Sequence, residues 1–272
     1  MIGFKPSYGA IPRTGICALS SSLDHVGVFT RSVDDAAYAI SLLAGTSSTD
    51  VHGKASKPFT MTAYLQPLTK GPVIGLLSSP QLGVIDPAQA DVMHRLAQKL
   101  RDSGATVIEL ELPQEFEKAA ELTALLAAAD AARHHAHHVA QKDQLSEPMA
   151  ALLEQGGAMS PAEVESLTQR QQQLGKAYAQ WLKKNRLDAV LLPPAQGEAP
   201  AGLAFTGDAR FCSPFTLIGV PAITLPAGFG PNGLPLGVQL VGALGGDLTL
   251  LKIARGCEQL IALPQKIATG WR

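Results

Sequence analysis

The chain has 272 residues, with 22 Lys and Arg residues against 23 Asp and Glu residues, so its formal charge near neutral pH is −1. Hydrophobic residues make up 46% and charged residues 17% of the sequence, a balance that predicts a globular protein with a sizeable core and excludes a disordered chain. The pI near 6.7 gives no basic excess of the kind that nucleic-acid binding requires, so we expect no nucleic-acid partner.

The three cysteines, Cys17, Cys212 and Cys257, lie far apart and form no CxxC motif. An odd number without a secretory context argues against a disulfide framework. The N-terminus lacks the basic and apolar regions of a signal peptide, and no apolar window is long enough to span a bilayer. We therefore expect a cytoplasmic protein without a membrane partner.

The first third of the chain alternates loop, helix and strand. Residues 1–30 are rich in Gly, Pro and Ser and predict an extended loop. Residues 32–45 predict a helix, with Ser32 as N-cap, acidic residues in the first turn and a terminal glycine. Residues 46–70 predict a surface connection, and the apolar run at 72–77 predicts a buried strand.

A helix over residues 86–103 and a strand over 106–112 complete a strand–helix–strand unit, which predicts a right-handed crossover in a partly parallel sheet. Residues 114–185 predict two or three helices, one of which starts at a capping box, Ser160 to Glu163. Three further strands and a last helix are predicted at 187–192, 222–225, 236–241 and 247–261. The elements predict an α/β protein with a mixed β-sheet flanked by helices.

Several short segments resemble the amidase signature family. The N-terminal matches follow the family's order and are Gly3-Phe-Lys-Pro-Ser-Tyr-Gly9, Ser21-Ser-Leu-Asp-His-Val-Gly27, Phe29-Thr-Arg-Ser-Val-Asp-Asp35 and Leu42-Leu-Ala-Gly45. The C-terminal matches are Asp188-Ala-Val-Leu-Leu-Pro193, Phe215-Thr-Leu-Ile-Gly-Val-Pro-Ala222, Leu225-Pro-Ala-Gly228 and Gly233-Leu-Pro-Leu-Gly-Val-Gln-Leu-Val241. The resemblance spans nearly the whole chain and is vaguest over residues 46–180.

This resemblance implies an amide hydrolase that uses a Ser, cis-Ser, Lys triad and a Gly-rich oxyanion loop. In the family these groups precede the Gly-Phe-Lys-Pro motif, and this sequence contains no serine within such a loop. We therefore assign no catalytic residue and expect no hydrolysis by that mechanism from this chain alone. Residues 1–272 are expected to form one domain, corresponding to the C-terminal part of the family fold and incomplete at its N-terminal side.

Two groups of residues invite a catalytic or metal-binding interpretation. Lys5 with Ser20, Ser21 and Ser22 resembles a Ser–Lys pair, but we interpret the serines as part of a structural loop. His134 and His138 are helical neighbours, with Asp130 one turn earlier, a spacing that can bind zinc or nickel. We interpret that cluster as a solvated helix face and expect neither a metal nor another cofactor.

By the resemblance, the loop before residues 214–219 is the candidate substrate-binding region. Its residues Thr206, Asp208 and Arg210, together with Thr216, are the predicted substrate contacts, although Thr216 stands where the family often has asparagine. The alternative is an exposed acid and base in a Gly-rich loop. The expected ligand is a small amide.

Three hypotheses follow for the whole chain. The first is a C-terminal fragment of an amidase-signature hydrolase, or a subunit that needs a separate catalytic half. Missing elements would leave a sheet edge and apolar surface uncovered, so self-association or a chain that supplies the N-terminal half is expected. The second is a non-catalytic binding or assembly module on a relict amidase fold. The third is a metal-dependent activity at His134 to His138.

Overall fold

A computed structural model describes residues 1–50, 59–78, 82–137 and 144–263. Seven strands in this part of the chain form one mixed sheet in the order β2-β1-β6-β7-β5-β3-β4. The strands are β1 (Ile2–Lys5), β2 (Val28–Thr30), β3 (Val73–Leu77), β4 (Thr106–Leu110), β5 (Ala189–Leu192), β6 (Ala222–Phe229) and β7 (Pro235–Val241). The sheet is the frame on which the helices and the candidate site are arranged.

The helices in the described ranges are α1 (Val33–Leu43), α2 (Met61–Leu65), α3 (Pro87–Asp102), α4 (Ala119–His134), α5 (Glu147–Gly157), α6 (Pro161–Asn185), α7 (Ser213–Leu217) and α8 (Asp247–Ile261). The predicted helix after Ser32 is confirmed, and the Ser32 side chain accepts a hydrogen bond from the Asp35 backbone. The predicted capping box of α6 is also present. None of the described helices combines the length and the apolar character needed to cross a bilayer.

The parallel half of the sheet confirms the predicted strand–helix–strand unit with parallel strands, and its right-handedness stays a prediction. Strand β3 runs parallel to β4, with α3 between them in sequence, and it also runs parallel to β5 on its other side. The predicted helices between β4 and β5 are α4, α5 and α6, preceded by a short 3-10 turn over residues 114–118. The polar connection at 46–70 contains the short helix α2, whose Tyr64 is buried, while residues 51–58 lie outside the described part.

The antiparallel half corrects the sequence prediction for residues 1–30. Those residues form β1 and β2 rather than an extended loop throughout, with Gly3 opposite Phe29 on one side and opposite Thr224 on the other. The physical reason is long-range pairing, because β6 offers its free edge to a strand of four residues that shows no clear alternation. The predicted strands at 222–225 and 236–241 are present as β6 and β7, which pair antiparallel, and β6 continues past Pro226 through a bulge.

Each face of the sheet is covered by a different group of helices. One core lies under α1, α3 and α8 and includes Met93, Leu96 and Leu250. The other lies under α4, α6 and α7 and includes Tyr178 and Phe215. We call the side of the sheet covered by α1, α3 and α8 the first face, and the side covered by α4, α6 and α7 the second face. This two-layer covering leaves the carboxyl ends of the parallel strands as the place where a crevice can open.

Candidate functional site

A crevice opens at the carboxyl ends of the parallel strands β3, β4 and β5. From β3 the chain crosses to α3 on the first face, whereas from β5 it runs to α7 on the second face. Adjacent parallel strands whose connections leave to opposite faces create a binding crevice in α/β sheets. Here the crevice holds a cavity of about 420 Å3, which is within the range of small-molecule sites.

The crevice has an apolar floor and a polar mouth. Its buried lining side chains are Leu76, Leu77, Leu82, Met93 and Phe211. Three exposed polar side chains lie at the mouth: Ser78 after β3, His94 on α3 and Glu109 on β4. The arrangement can hold an apolar group inside while keeping a polar group in contact with water.

The predicted substrate loop forms one wall of this crevice. Phe211 lines the cavity, and a Cβ atom added at Gly83, which has φ +91°, would lie 2.6 Å from the Arg210 Nη1. Gly83 therefore lets the Arg210 side chain cross the rim of the crevice. The predicted loop and the crevice thus meet at this rim.

Asp208 and Arg210 form a pair with each other at the surface. The Arg210 Nε and its backbone N–H each donate to the Asp208 carboxylate at 2.8 Å, and a second guanidinium nitrogen also donates to it. The side-chain hydrogen bond from Arg210 lowers the pKa of Asp208, and the same bond raises the pKa of Arg210. The pair is thus a neutral unit that orders the loop.

The other two predicted contacts differ in their positions. Thr206 is exposed on the same loop, and Thr216 is half-buried in α7, where its backbone N–H donates to the Cys212 carbonyl. The structure thus joins Asp208 and Arg210 in one contact and places Thr216 six residues beyond Arg210, in α7. Their roles in substrate binding stay predictions.

Gln239 on β7 anchors the loop to the centre of the sheet. Its side chain is buried, and its Nε2 donates to the Phe211 carbonyl at 3.0 Å while its Oε1 accepts from the Cys212 thiol at 3.6 Å. The same thiol also lies 3.6 Å from the Pro194 carbonyl oxygen. Gln239 was not among the predicted site residues, although a lone amide within the apolar strand Leu-Gly-Val-Gln-Leu-Val was a signal for a buried polar contact.

Lys5 lies at the end of β1 and points into a buried region. Its Nζ donates to the Val220 carbonyl at 2.5 Å. Burial lowers the pKa of Lys5 to about 7, although the negative charge of Asp247 acts in the opposite direction. The lysine therefore holds the turn before β6, and the hydrogen bonds described for its Nζ go to the backbone carbonyls of Pro6 and Val220.

Two of those serines bind the carboxylate of Asp130 on α4. The Ser20 hydroxyl donates to it at 2.7 Å, and the Ser22 hydroxyl and backbone N–H donate at 2.6 and 2.9 Å. Arg133 donates both to this carboxylate, at 2.8 Å, and to the Ser21 hydroxyl. The serine loop is consequently a structural element fastened to α4, in line with our interpretation of it.

Only part of the histidine cluster lies within the described residues. No group of three or more His, Cys, Asp or Glu residues there is placed to hold a metal ion. His135 Nε2 lies 2.8 Å from the Ala18 carbonyl oxygen, and the His134 ring is partly buried. His138 lies outside the described residues, so the predicted pair of His134 and His138 has no structural description.

Comparisons with known proteins agree with the resemblance in the motifs. The family model for amidases matches residues 1–251. The chain belongs to the amidase family. A glutamyl-tRNA(Gln) amidotransferase subunit from Rhodospirillum rubrum is 30% identical, and the match covers 98% of this chain and 59% of that protein.

Solved structures extend this finding to the fold. A crystal structure of an amidase is 28% identical, with a TM-score of 0.79, and the match covers 95% of this chain and 58% of that one. A peptide amidase from Stenotrophomonas maltophilia is 25% identical, with a TM-score of 0.77 and coverage of 97% and 59%. The chain thus spans about three fifths of the length of the amidase relatives that it matches.

Proposed function

We propose that this chain is the C-terminal part of an amidase-signature hydrolase and carries the substrate-binding side of its active site. The observation that carries the proposal is the crevice at the carboxyl ends of β3, β4 and β5, closed on one side by the loop with Asp208 and Arg210. The family resemblance predicts substrate contacts in that loop, and the crevice supplies the space for a small amide. The whole chain is proposed to act as a single domain.

Hydrolysis of an amide C–N bond needs a nucleophile, a base and donors for the oxyanion. Ser20 and Ser22 donate to the Asp130 carboxylate, and Lys5 is bound to the Val220 carbonyl, so these groups form no nucleophile–base pair. We therefore propose that the Ser, cis-Ser, Lys triad comes from a segment that this sequence does not contain. The chain by itself is then expected to bind an amide without cleaving it.

The need for that segment makes a partner chain part of the proposal. The Rhodospirillum rubrum relative is by name one component of an amidotransferase, and this chain matches only 59% of it. A separately encoded catalytic half or a self-associated assembly would meet the same need. We place this assembly in the cytoplasm.

A second candidate is a binding or assembly module without catalysis. It is favoured by the observation that the crevice and its loop, with the Gln239 anchor, are built from residues of this chain. Such a module would bind an amide and would gain no activity from an added segment.

The deciding experiment is hydrolysis of a panel of simple amides by the purified 272-residue chain, with and without a chain that supplies the uncovered part of the Rhodospirillum rubrum relative. We expect turnover only in the mixture, together with a complex in sizing chromatography. Turnover by the chain alone that survives chelation of metals would refute the proposal. A complex without turnover would favour the binding module.

A further inference from the structure

Another cavity lies on the second face, between α6 and the start of α4. Its volume is about 350 Å3, and its lining residues come from the 3-10 turn at 114–118, the first turn of α4 and the middle of α6. All of its described lining residues differ from those of the crevice. We call this space the α4–α6 cavity. The chain therefore offers, apart from the crevice, a space of the size that small-molecule sites have.

The floor of the α4–α6 cavity is apolar. Ala119, Leu122 and Leu174 line it, and each of them is at most 4% exposed. A charged group placed on this floor would lose its hydration without gaining a partner. A buried methylene group, in contrast, strengthens binding about fourfold. The part of a ligand that reaches the floor is therefore a hydrocarbon chain.

Two cations on separate elements stand at the opening of this cavity. Lys118 precedes α4 and Arg170 lies on α6, and both side chains are exposed and line the cavity. Within the described part of the chain, neither side chain has a hydrogen bond or an ion pair. At the crevice, by comparison, Arg210 is paired with Asp208. The positive charges of Lys118 and Arg170 are therefore available to a ligand.

The other polar side chains at the opening set the charge and the shape of the group that fits. Glu115 lines the same opening, so two positive charges face one negative charge there, and a single negative charge on the ligand complements the rim. Gln173 adds an amide whose N–H groups can donate. The planar guanidinium of Arg170 matches a carboxylate, because it can donate to both oxygens at once. The outer part of the ligand is therefore a carboxylate.

We propose that the α4–α6 cavity binds a short alkanoic acid as its carboxylate, with the hydrocarbon chain on the apolar floor and the carboxylate between Arg170 and Lys118. The Arg170 guanidinium donates to the two carboxylate oxygens, and the Lys118 ammonium adds the second positive charge. A chain of six carbons has eight non-hydrogen atoms with its carboxylate, which take up roughly two thirds of the cavity at roughly 30 Å3 for each water-sized atom. This site is separate from the crevice and does not depend on amide hydrolysis.

The test compares hexanoate, hexan-1-ol and acetate on the purified chain by ligand-observed NMR at pH 7 and low salt. Hexanoate should bind with a Kd on the order of 1 mM, which is realistic for eight non-hydrogen atoms. Hexan-1-ol keeps the chain but lacks the charge and should bind at least about 3-fold more weakly. Acetate keeps the charge but lacks four methylene groups and should bind at least about 10-fold more weakly. Equal binding of hexanoate and hexan-1-ol, or of hexanoate and acetate, would overturn the proposal, the second result showing an adventitious ion only.

Four variants locate the site. Arg170→Gln removes the guanidinium and should weaken hexanoate binding at least about 5-fold, and Lys118→Gln should weaken it at least about 2-fold. Glu115→Gln removes the one negative charge at the opening and should strengthen hexanoate binding about 2-fold, an increase that damage to the fold would not produce. Lys176→Gln is the matched control, because Lys176 is also an exposed cation on α6 but does not line the cavity, and its Kd should stay within about twofold of the parent.

The changed side chains are all exposed, so the variants should fold, and circular dichroism checks that they do. An unchanged Kd for hexanoate in Arg170→Gln would overturn the site. An equal loss of affinity in Lys176→Gln would overturn it as well, because binding would then follow the overall charge of α6. Raising the ionic strength should weaken the binding of hexanoate and leave that of hexan-1-ol unchanged, and a Kd for hexanoate that is independent of salt would contradict the ionic contact.

Discussion

The loop that carries Asp208 and Arg210 should open more readily when its anchor on the sheet is removed. Gln239→Leu keeps much of the volume of the side chain but deletes the hydrogen bond to the Phe211 carbonyl and frees the Cys212 thiol. A hydrogen bond of this kind contributes about 1 kcal/mol net, and a carbonyl left buried without a partner costs about 1–3 kcal/mol. Taking about 1.4 kcal/mol as the change in the free energy of local opening, we expect a roughly tenfold larger open population.

Cys212 reports this opening directly, because it lies beside the anchor. Its rate of labelling by a thiol reagent, measured in a Cys17→Ser background, should rise about tenfold in Gln239→Leu at the same pH. The fully buried Cys257 should stay protected, since only global unfolding exposes it. The two cysteines therefore separate a local from a global effect.

Gln89→Leu is the matched control for this experiment. Gln89 is also buried and donates its side-chain N–H to a backbone carbonyl, that of Gly237 at 2.7 Å, but it does so from α3 on the first face. The free energy of unfolding, measured by urea denaturation, should fall by a similar amount in both variants. If Cys212 labels equally fast in the two variants, or no faster than in the parent, the assignment of Gln239 as the anchor of the loop is refuted.

Three further predictions concern stability and are measured by urea denaturation. Gly156→Ala should lower the free energy of unfolding by more than about 2 kcal/mol, because its Cβ would lie 1.9 Å from the Ala128 carbonyl oxygen, whereas Gly157→Ala has open space and should not. Burial raises the pKa of Asp130, but the hydrogen bonds from the serines lower it by more, so the net pKa is depressed. The stability that the ionised carboxylate contributes is therefore present above about pH 4 and is lost as the pH falls. Asp130→Asn should therefore cost about 2 kcal/mol at pH 7, and the difference should shrink in acid; a constant difference would contradict this assignment. Burial lowers the pKa of Lys5 to about 7, so above that pH the unfolded chain binds more protons than the folded one and stability rises. Between pH 7 and 9 the free energy of unfolding of the parent should rise by about 2 kcal/mol relative to that of Lys5→Met. Parallel curves of unfolding free energy against pH for the two proteins would show that the amine is not buried as described.

Local signals were sufficient for most of the helices and for the parallel strands. The Ser32 cap, the Ser160–Glu163 capping box and the apolar runs at β3 and β5 each act through neighbouring residues, so the sequence predicts them well. Strands β1 and β2 have no such signal. They are four and three residues long and exist because β6, more than 200 residues away in sequence, pairs with β1.

The candidate site was predictable only in part for a similar reason. The family motifs locate the loop with Asp208 and Arg210, which is a local property of the sequence. The crevice arises where β3, β4 and β5 end side by side, and its polar mouth combines Ser78, His94 and Glu109 from three separate elements. No spacing in the sequence links these three residues, so only the fold brings them together.

The two ends of the sheet present different kinds of surface. At the parallel end, the crevice is closed by the chain's own loop and anchored by its own Gln239. At the other end, β2 is the edge strand of the described sheet, and apolar side chains beside it are strongly exposed: Phe29 by 79%, Tyr38 by 58% and Leu42 by 67%. Edge strands and exposed apolar patches are where proteins recruit further chains. The β2 end is therefore where we expect a further chain or a second copy to pair with the sheet, and such a chain would have to extend to the crevice to place catalytic groups beside a bound amide.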